Sequence, residues 1–457
     1  MTRCFDIAAR MCNAIGLPPR AGTSLRFTGA GELPSAFAVT DFAAAAIATP
    51  LLALSALLQR ITGHAPEVGV DRRLSAMWFH SSIRPMGWSL PSPWDPIAGD
   101  YACRDGWIRL HTNAPHHRAA AERVLGAHAD RDGMAQAVAR WDKANLEAAV
   151  VAGGGCAAEM RSVDAWRAHP QGQAVATEPL VHMRAGESSH VRAAWHPVRG
   201  RPLQGIRVLD LTRVLAGPVA TRFLAGHGAQ VLRIDPPDWD EPAVIPEVVL
   251  GKRSARLDLR TPAGRETFAV LLAGADVLVH GLRPGALGRL GFGPAERRAL
   301  APGLIDVSLD AYGWSGPWAG RRGFDSLVQM STGIADAGMA WRAAGKPVPL
   351  PMQALDHATG YLMAAAAVRG IAQRLDGGES LTARLSLART AQLLMEYPAR
   401  AADEALPPET PDDRGLAVEA TAWGPAQRLK PPGAVAGAAM HWDLPARQLG
   451  GDAPIWF

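Results

Sequence analysis

From about residue 203 the sequence alternates short apolar runs with helical stretches, a pattern typical of a parallel sheet covered by helices. The predicted strands lie at 206–211, 230–235, 276–280 and 303–309, and the predicted helices between them include 216–227 and 264–273. The sequence therefore predicts a doubly wound, Rossmann-like parallel sheet in an α/β fold, accompanied by a smaller α+β domain in the first 200 residues.

The turn after the first predicted strand, at 212–218, reads Thr-Arg-Val-Leu-Ala-Gly-Pro and contains no G-x-G-x-x-G. The glycine fingerprint of dinucleotide-binding sheets is therefore absent. Ligands of such sheets still bind beyond the carboxyl ends of the strands. We therefore expect the functional residues in the turns that follow the strands.

A chain of 457 residues is too long for one compact core and predicts two or three domains. Residues 1–200 contain a long Ala- and Leu-rich helix after Asp41, a strand at 101–110 and mixed helical segments, which indicates the small α+β domain. Residues 201–400 form the sheet domain. Residues 401–457 are rich in Pro, Gly and Ala with little periodicity, so we expect an irregular tail.

Charge and cysteine usage exclude several classes of function. The formal net charge is only +4, from 47 basic and 43 acidic residues, which does not indicate nucleic-acid binding. The four cysteines form no C-x-x-C pair, so neither a disulfide framework nor a metal site is predicted, and a reducing cytoplasm fits best. The pair His116 and His117 is interpreted as surface rather than metal ligand. The most apolar stretch, 42–58, is interrupted by Pro50 and is interpreted as a buried helix, so no membrane contact is expected.

Two segments of the chain are similar to each other. Residues 29–41 end in Asp41 and 344–356 end in Asp356, and in each case an Ala-rich helix follows that carries Gln-Arg near its end. An Asp at a helix start has two interpretations, a helix cap or a chemical group. The sequence alone leaves both open for each residue.

Several motifs in order resemble the class III CoA-transferase family of the CaiB/BaiF type. They are 203–218, 228–235, 251–259, 275–285, 287–292, 312–317 and the Gly-Phe-Asp at 323–325. Residues 1–200 look like the later part of the same family, with an Asp-helix segment and a small domain. The chain thus resembles a rearranged or truncated tandem copy, with one sheet domain, one small domain and two Asp-helix elements.

The resemblance implies an acyl-CoA:carboxylate CoA-transferase whose nucleophile is an aspartate, and the matching position is Asp356. A carboxylate that attacks a thioester gives a mixed anhydride, which keeps the acyl group activated. At a helix start this carboxylate would be held ionised by the helix dipole. Asp41 occupies the equivalent place in the first copy, and we favour a structural role for it, with a second catalytic role as the alternative.

The resemblance also implies a site for coenzyme A, which is the substrate carrier, and no further cofactor. The matching positions are Arg213, Val214, Leu257, Asp258, Gly281, Arg283 and Arg289. Arginine suits phosphate because its guanidinium presents a planar fork of donors, although each of these arginines could equally be a solvated surface charge. Family members often carry an Arg just after the second strand, where this chain has Pro236.

Two alternatives to the transferase remain. A racemase or isomerase of the same fold uses a His at the position of Phe324, and phenylalanine cannot exchange a proton. The chain could instead bind CoA without catalysis. The resemblance implies CoA thioesters and carboxylic acids as substrates, and exposed apolar surface on the two Asp-helix elements predicts a homodimer.

Overall fold

The computed structural model describes residues 2–17, 24–188, 195–400 and 404–457. Its strands are β1 Leu25–Thr28, β2 Val68–Asp71, β3 Ile83–Pro85, β4 Gly99–Cys103, β5 Gly106–Leu110, β6 Ala157–Glu159, β7 His182–Ser188, β8 Arg207–Leu211, β9 Gln230–Asp235, β10 Lys252–Arg256, β11 Val277–His280, β12 Ile305–Asp310, β13 Glu379–Ser386, β14 Glu419–Thr421, β15 Gly424–Arg428 and β16 Gly433–Val435. Its helices are α1 Thr2–Ala14, α2 Val39–Thr62, α3 Arg72–Trp78, α4 Pro115–Leu125, α5 Arg131–Val138, α6 Lys143–Ala152, α7 Val163–Ala168, α8 Pro170–Thr177, α9 Ala216–Gly226, α10 Ile245–Val248, α11 Pro262–Ala273, α12 Ala286–Arg289, α13 Pro294–Leu300, α14 Asp325–Thr332, α15 Ile334–Trp341, α16 Ala354–Gly377 and α17 Leu387–Met395. A short 3-10 helix spans Pro411–Asp413.

A seven-stranded sheet in the order β10-β9-β8-β11-β12-β13-β7 forms the centre of the fold. Six strands are parallel, and β7 pairs antiparallel at one edge. The chain builds outward from β8 to β10 on one side and from β11 to β13 on the other, so the direction of winding reverses between β8 and β11. The predicted doubly wound sheet is confirmed, and its switch point places the crevice after β8 and β11.

Both faces of this sheet are covered, which explains the nearly continuous apolar strands. Along β8, Val208 packs into the core that contains α9 and α16, whereas the next residue, Leu209, packs with α11 on the other side. In β9, Val231 and Leu232 divide in the same way. The period of two in a strand therefore builds two separate helix layers.

The helices α2 and α16 are the two Asp-helix elements of the sequence. Each has 24 residues, an N-cap without a side-chain cap hydrogen bond, and a left-handed glycine after its last turn. They pack against each other, and Arg60 of α2 donates to Asp376 of α16 at 2.6 Å. By length and composition α2 could cross a membrane, but 89% of its most apolar window is buried inside the molecule, as predicted for a core helix. Because the two helices cover each other, the apolar surface that predicted a dimer is buried within one chain.

The small domain is built on the sheet β4-β5-β6, with α4, α5 and α6 packed on a core that includes Ile108 and Val150. The single strand predicted at 101–110 is wrong, because β4 and β5 form a hairpin closed by a turn at Arg104 and Asp105. The chain reverses in this two-residue loop, and Gly106 opens β5 directly opposite Cys103.

The small domain packs against the sheet domain of the same chain. The Arg161 N–H donates to the carbonyl of Met330 in α14 at 3.0 Å, just beyond β6. Arg321 pairs with Glu147 of α6 at 3.0 Å. The two domains therefore meet through hydrogen bonds and a buried ion pair in addition to apolar contacts.

The expectation of an irregular tail is wrong for part of residues 404–457, because this segment contains three short strands. β14 pairs with β15, β15 pairs with β3, and β16 pairs with β2. These strands have three to five residues, and their partners β2 and β3 lie more than 300 positions earlier. So short a run carries no periodicity, and a partner so distant leaves no local signal.

Substitution of Gly360 by Val should destabilise the protein, because α16 approaches α9 at this point. A Cβ at Gly360 would meet the carbonyl oxygen of Ala216 and lie 3.0 Å from Val219 Cβ. We expect Gly360→Val to lower the free energy of unfolding by about 3 kcal/mol, measured by urea denaturation.

Gly345→Val is the matched control, because a Cβ at Gly345 would have no other atom within 4 Å. The control should change stability by less than about 0.5 kcal/mol. Equal stability of the two variants would show that the α16–α9 contact is looser than described.

Candidate active site

Asp356 lies in the first turn of α16 and is 7% exposed. Its N–H donates to Oδ2 of Asp325 at 2.9 Å. Because Gln353 gives α16 no side-chain cap, the carboxylate of Asp325 caps this helix from the start of α14. Within the described ranges, the carboxylate of Asp356 itself makes no hydrogen bond and no ion pair.

Burial raises the pKa of Asp356 well above its usual value, and the negative charge of Asp325 raises it further. Burial also raises the pKa of Asp325, to about 6. Its carboxylate accepts hydrogen bonds from the Gln329 amide and from the N–H groups of Asp356 and Leu355, which lower this pKa, but burial has the larger effect. The charge of the pair therefore rests on Asp325, and Asp356 holds a proton until a ligand or a rise in pH removes it. The expectation that the helix dipole keeps Asp356 ionised is wrong, because burial and the charge of Asp325 raise the pKa of this carboxyl.

Asp41 occupies the equivalent turn of α2 but has a different environment. Its carboxylate accepts from Arg3 Nε at 2.6 Å, from Arg72 Nε at 2.8 Å and from the Cys4 thiol at 2.8 Å. Burial alone would raise the pKa of Asp41, but Cys4, Arg72 and Arg3 outweigh it and the pKa is lowered. A carboxylate held by two guanidinium groups and a thiol is a structural ion pair and a poor nucleophile.

Four arginines near the switch point of the sheet have no acidic partner within ion-pair distance among the residues that the structure places. Three of them, Arg213, Arg283 and Arg289, occupy positions that were predicted for CoA binding, and the fourth, Arg322, precedes α14. These four residues are called the arginine cluster. Burial lowers the pKa of Arg283, and the positive charges of Arg322 and Arg289 add to this effect. Mutual repulsion of this kind is relieved when an anion binds.

The turn after β8 is held in an unusual conformation. Val214 has φ of 63°, in the left-handed region that β-branched residues rarely adopt. Its N–H donates to Oε2 of Glu241 at 2.8 Å, which fixes the turn beside Arg213. Strain of this kind concentrates at ligand sites, where surrounding contacts maintain it.

The other positions predicted for CoA differ in their contacts. Gly281 directly follows β11, and a Cβ there would meet only the Leu309 side chain, at 3.5 Å. Leu257 packs at the edge of the α11 core. Arg260 Nε donates a hydrogen bond to the carboxylate of Asp258 at 2.8 Å on the surface. None of the contacts of Asp258 reaches the arginine cluster.

The small domain contributes three histidines on the other side of the crevice. His111, at the end of β5, stacks on the ring of Phe324 with centroids 3.7 Å apart and planes 3° from parallel. His117 meets the same ring edge-on at 5.7 Å and lies 4.1 Å from His116. The surface interpretation is wrong for His117, which is 5% exposed, whereas His116 is exposed.

Sequence reasoning missed Asp325, Arg322, His111 and His117 as parts of this site. Asp325 was visible only as the third residue of the Gly-Phe-Asp motif. The others come together through packing of the small domain on the sheet domain, and no spacing in the sequence indicates that contact.

A cavity of about 410 Å³ lies elsewhere, lined by residues such as Leu58, Thr62, His64, Arg199 and Ala436. It shares no residue with the arginine cluster or the Asp356 region.

The doubly wound sheet defines the class of the protein as α/β, with arginines at the switch point where such sheets bind ligands and a buried carboxyl at the start of α16. The comparison with known families gives this class a name. The profile of CoA-transferase family III matches residues 203–423, and this segment of the chain belongs to that family.

Similar proteins carry related names. The chain is 32% identical over 231 residues to the probable fatty acyl-CoA transferase Rv3272 of Mycobacterium tuberculosis, covering 46% of this chain and 58% of that protein. It is 34% identical over 194 residues to mouse succinyl-CoA:glutarate CoA-transferase, covering 40% and 44% respectively. A crystal structure of a CAIB/BAIF family protein from Brucella suis aligns with 25% identity and a TM-score of 0.39, covering 50% of this chain and 65% of that one. The chain thus spans about half the length of the curated relatives that it matches.

The two aspartates should respond oppositely to neutralisation. Asp41→Asn removes one of the two carboxylates that Arg3 and Arg72 share and leaves them with Glu32, so we expect a loss of about 2 kcal/mol of unfolding free energy at pH 7. Asp356→Asn removes a buried acid that has no cation partner, so we expect no loss. Urea denaturation of both variants measures the difference.

The effect of Asp41 has a defined pH dependence. Because its pKa is lower in the folded protein, its stabilisation is present above about pH 4 and is lost as the pH falls through the folded pKa. A stability difference between wild type and Asp41→Asn that persists undiminished at pH 2 would contradict this assignment.

Proposed function

We propose that the protein is an acyl-CoA:carboxylate CoA-transferase in which Asp356 is the nucleophile. The observation that carries this proposal is a buried carboxyl with no cation partner among the described residues at the start of α16, together with the arginine cluster at the switch point of the same sheet. The membership of residues 203–423 in CoA-transferase family III, and the transferase names of the relatives, support it. No cofactor is needed beyond CoA itself, which is part of the substrate.

The proposed reaction begins when the carboxylate oxygen of Asp356 bonds to the acyl carbon of the thioester. The carbon–sulfur bond breaks, and CoA leaves as a thiolate. The thiolate then attacks the Asp356 carbonyl of the mixed anhydride, and the donor acid leaves as a carboxylate. An aspartyl-CoA thioester remains, and an acceptor carboxylate passes through the same steps in reverse.

Asp325 has a positioning role in this scheme. Its carboxylate accepts the N–H of Asp356 and so fixes the first turn of α16. Its negative charge also raises the pKa of Asp356. The nucleophile therefore becomes more basic, and more reactive once ionised, at the expense of a smaller ionised fraction at neutral pH.

The arginine cluster is proposed to hold the phosphates of CoA. Arg213 and Arg283 follow β8 and β11, where ligands of doubly wound sheets bind. Guanidinium groups without acidic partners are available for bidentate bonds to phosphate. Arg322 extends the cluster toward the small domain, where its guanidinium donates to the carbonyl of Gly154 at 2.8 Å.

The two alternative functions, isomerisation and CoA binding without catalysis, require different residues in the same crevice. A racemase or isomerase would need a base at the place of Phe324, and the histidine stacked there, His111, has its pKa lowered to about 3 by burial. Such a histidine is too weak a base to match a reaction near neutral pH. A non-catalytic CoA-binding protein would keep the arginine cluster but need no reactive Asp356.

We further propose that one chain supplies both walls of the site. The homodimer predicted from the sequence stays a prediction, and it would join two complete sites rather than complete one. The cytoplasm stays the proposed compartment, and the free thiols of Cys4, Cys12, Cys103 and Cys156 are consistent with it.

Trapping the intermediate tests the reaction. Incubation with a panel of acyl-CoA thioesters, followed by hydroxylamine or borohydride, should modify the peptide that contains Asp356, read by mass spectrometry. The modification should be absent in Asp356→Asn and present in Asp376→Asn, a control at the far end of the same helix. Labelling of Asp41 would contradict the assignment, and CoA binding without labelling of either residue would favour the non-catalytic alternative.

The pH dependence of labelling tests the role of Asp325. The rate in wild type should rise with pH as Asp356 loses its proton. Asp325→Asn removes the neighbouring negative charge, so the midpoint of the profile should move to lower pH. A midpoint that stays in place, or moves upward, would show that the two carboxyl groups do not interact as described.

A further inference from the structure

We propose that His117 of the small domain binds the pantetheine arm of CoA by hydrogen bonds to its amide groups. This inference rests on the proposed function and adds to it a positioning residue outside the sheet domain. It makes the small domain a part of the thioester-binding surface.

His117 is a buried polar group without a partner. It is 5% exposed, and neither ring nitrogen makes a hydrogen bond with any residue that the structure describes. His111, 6% exposed, has an unpartnered Nδ1 as well. Buried polar atoms in folded proteins are nearly always hydrogen-bonded, since an unpaired one costs about 1–3 kcal/mol. Two such histidines at one crevice indicate that a ligand supplies the missing partners.

The position of His117 falls between the two ends of the proposed site. On one side His116, whose ring lies 4.1 Å away, is under the electrostatic influence of Arg322, Arg213 and Arg283. On the other side His117 contacts Phe324, the residue before Asp325. If CoA binds with its phosphates at the arginine cluster and its thioester at Asp356, its pantetheine arm therefore lies along His116, His117 and Phe324.

The charge state of His117 selects the kind of ligand group. Burial, with smaller contributions from His116, Arg322 and Arg283, lowers the pKa of His117 to about 4. The ring is therefore neutral near pH 7, with one nitrogen as donor and one as acceptor. The amides of the pantetheine arm offer carbonyl acceptors and N–H donors, which match the two nitrogens. A carboxylate or phosphate offers acceptors only and would leave one nitrogen unpaired.

Calorimetry with two ligands tests this assignment. CoA contains the pantetheine arm, whereas adenosine 3′,5′-bisphosphate contains only the nucleotide part. His117→Phe keeps a planar ring against Phe324 but removes both nitrogens, so it should weaken CoA binding about fivefold to tenfold. Binding of the bisphosphate should stay within about twofold of wild type. His117→Gln, a neutral side chain with a donor and an acceptor, should recover most of the CoA affinity.

His128→Phe is the matched control, because His128 belongs to the same small domain and bonds the Leu125 carbonyl at the other end of α4. It should bind both ligands like wild type. If His117→Phe does not fold, His117→Leu serves for the same comparison.

The outcomes separate this proposal from the proposed function. If wild type binds CoA and His117→Phe binds it equally well, the pantetheine contact is refuted and the transferase proposal stands. Equal weakening of CoA and of the bisphosphate would place His117 at the phosphates and also overturn the proposal. If wild type binds neither ligand, the proposed function fails and this inference fails with it.

Discussion

The packing of α16 against α2 and α9 is the contact on which the rest of the structure depends. Because Gly360 has no side chain, α16 can approach the backbone of Ala216. Ala216 is the first residue of α9 and directly follows the turn after β8. The same helix carries Asp356 in its first turn, so the closeness of this contact sets the distance between the reactive carboxyl and the sheet. On its other side α16 covers α2, which joins the N-terminal half of the chain to the sheet domain.

The two Asp-helix elements demonstrate that position on a helix does not decide the role of an aspartate. Asp41 and Asp356 lie in equivalent turns of helices of equal length, and both are buried. Two arginines and a thiol surround the first, and a second carboxylate lies beside the other. One pKa is therefore lowered and the other raised. The same position in two similar helices therefore holds a structural anion in one and a carboxyl with a raised pKa in the other.

The sequence predicted what depends on local periodicity or on a recognisable motif. The strands of the parallel sheet, the two Asp helices and the arginines after β8 and β11 fall in this group. Features that depend on contacts between distant segments were not predictable: the pairing of β16 with β2, the stacking of His111 on Phe324, and the approach of Arg322 to the crevice. The ionisation of Asp356 was predicted in the wrong direction. The helix dipole is visible in a sequence, but the depth of burial and the neighbouring Asp325 are visible only in the folded chain.

The order of the two halves has a consequence for synthesis on the ribosome. α2 is made about 300 residues before α16, the helix that covers it. At a translation rate of about 5–20 residues per second, roughly 15–60 s pass between the two. During that interval α2 packs only against early neighbours such as α1, β2 and α3, because α16, which covers another face of α2, comes later. The order of the two halves therefore leaves part of the apolar surface of α2 uncovered in the nascent chain until its second half emerges.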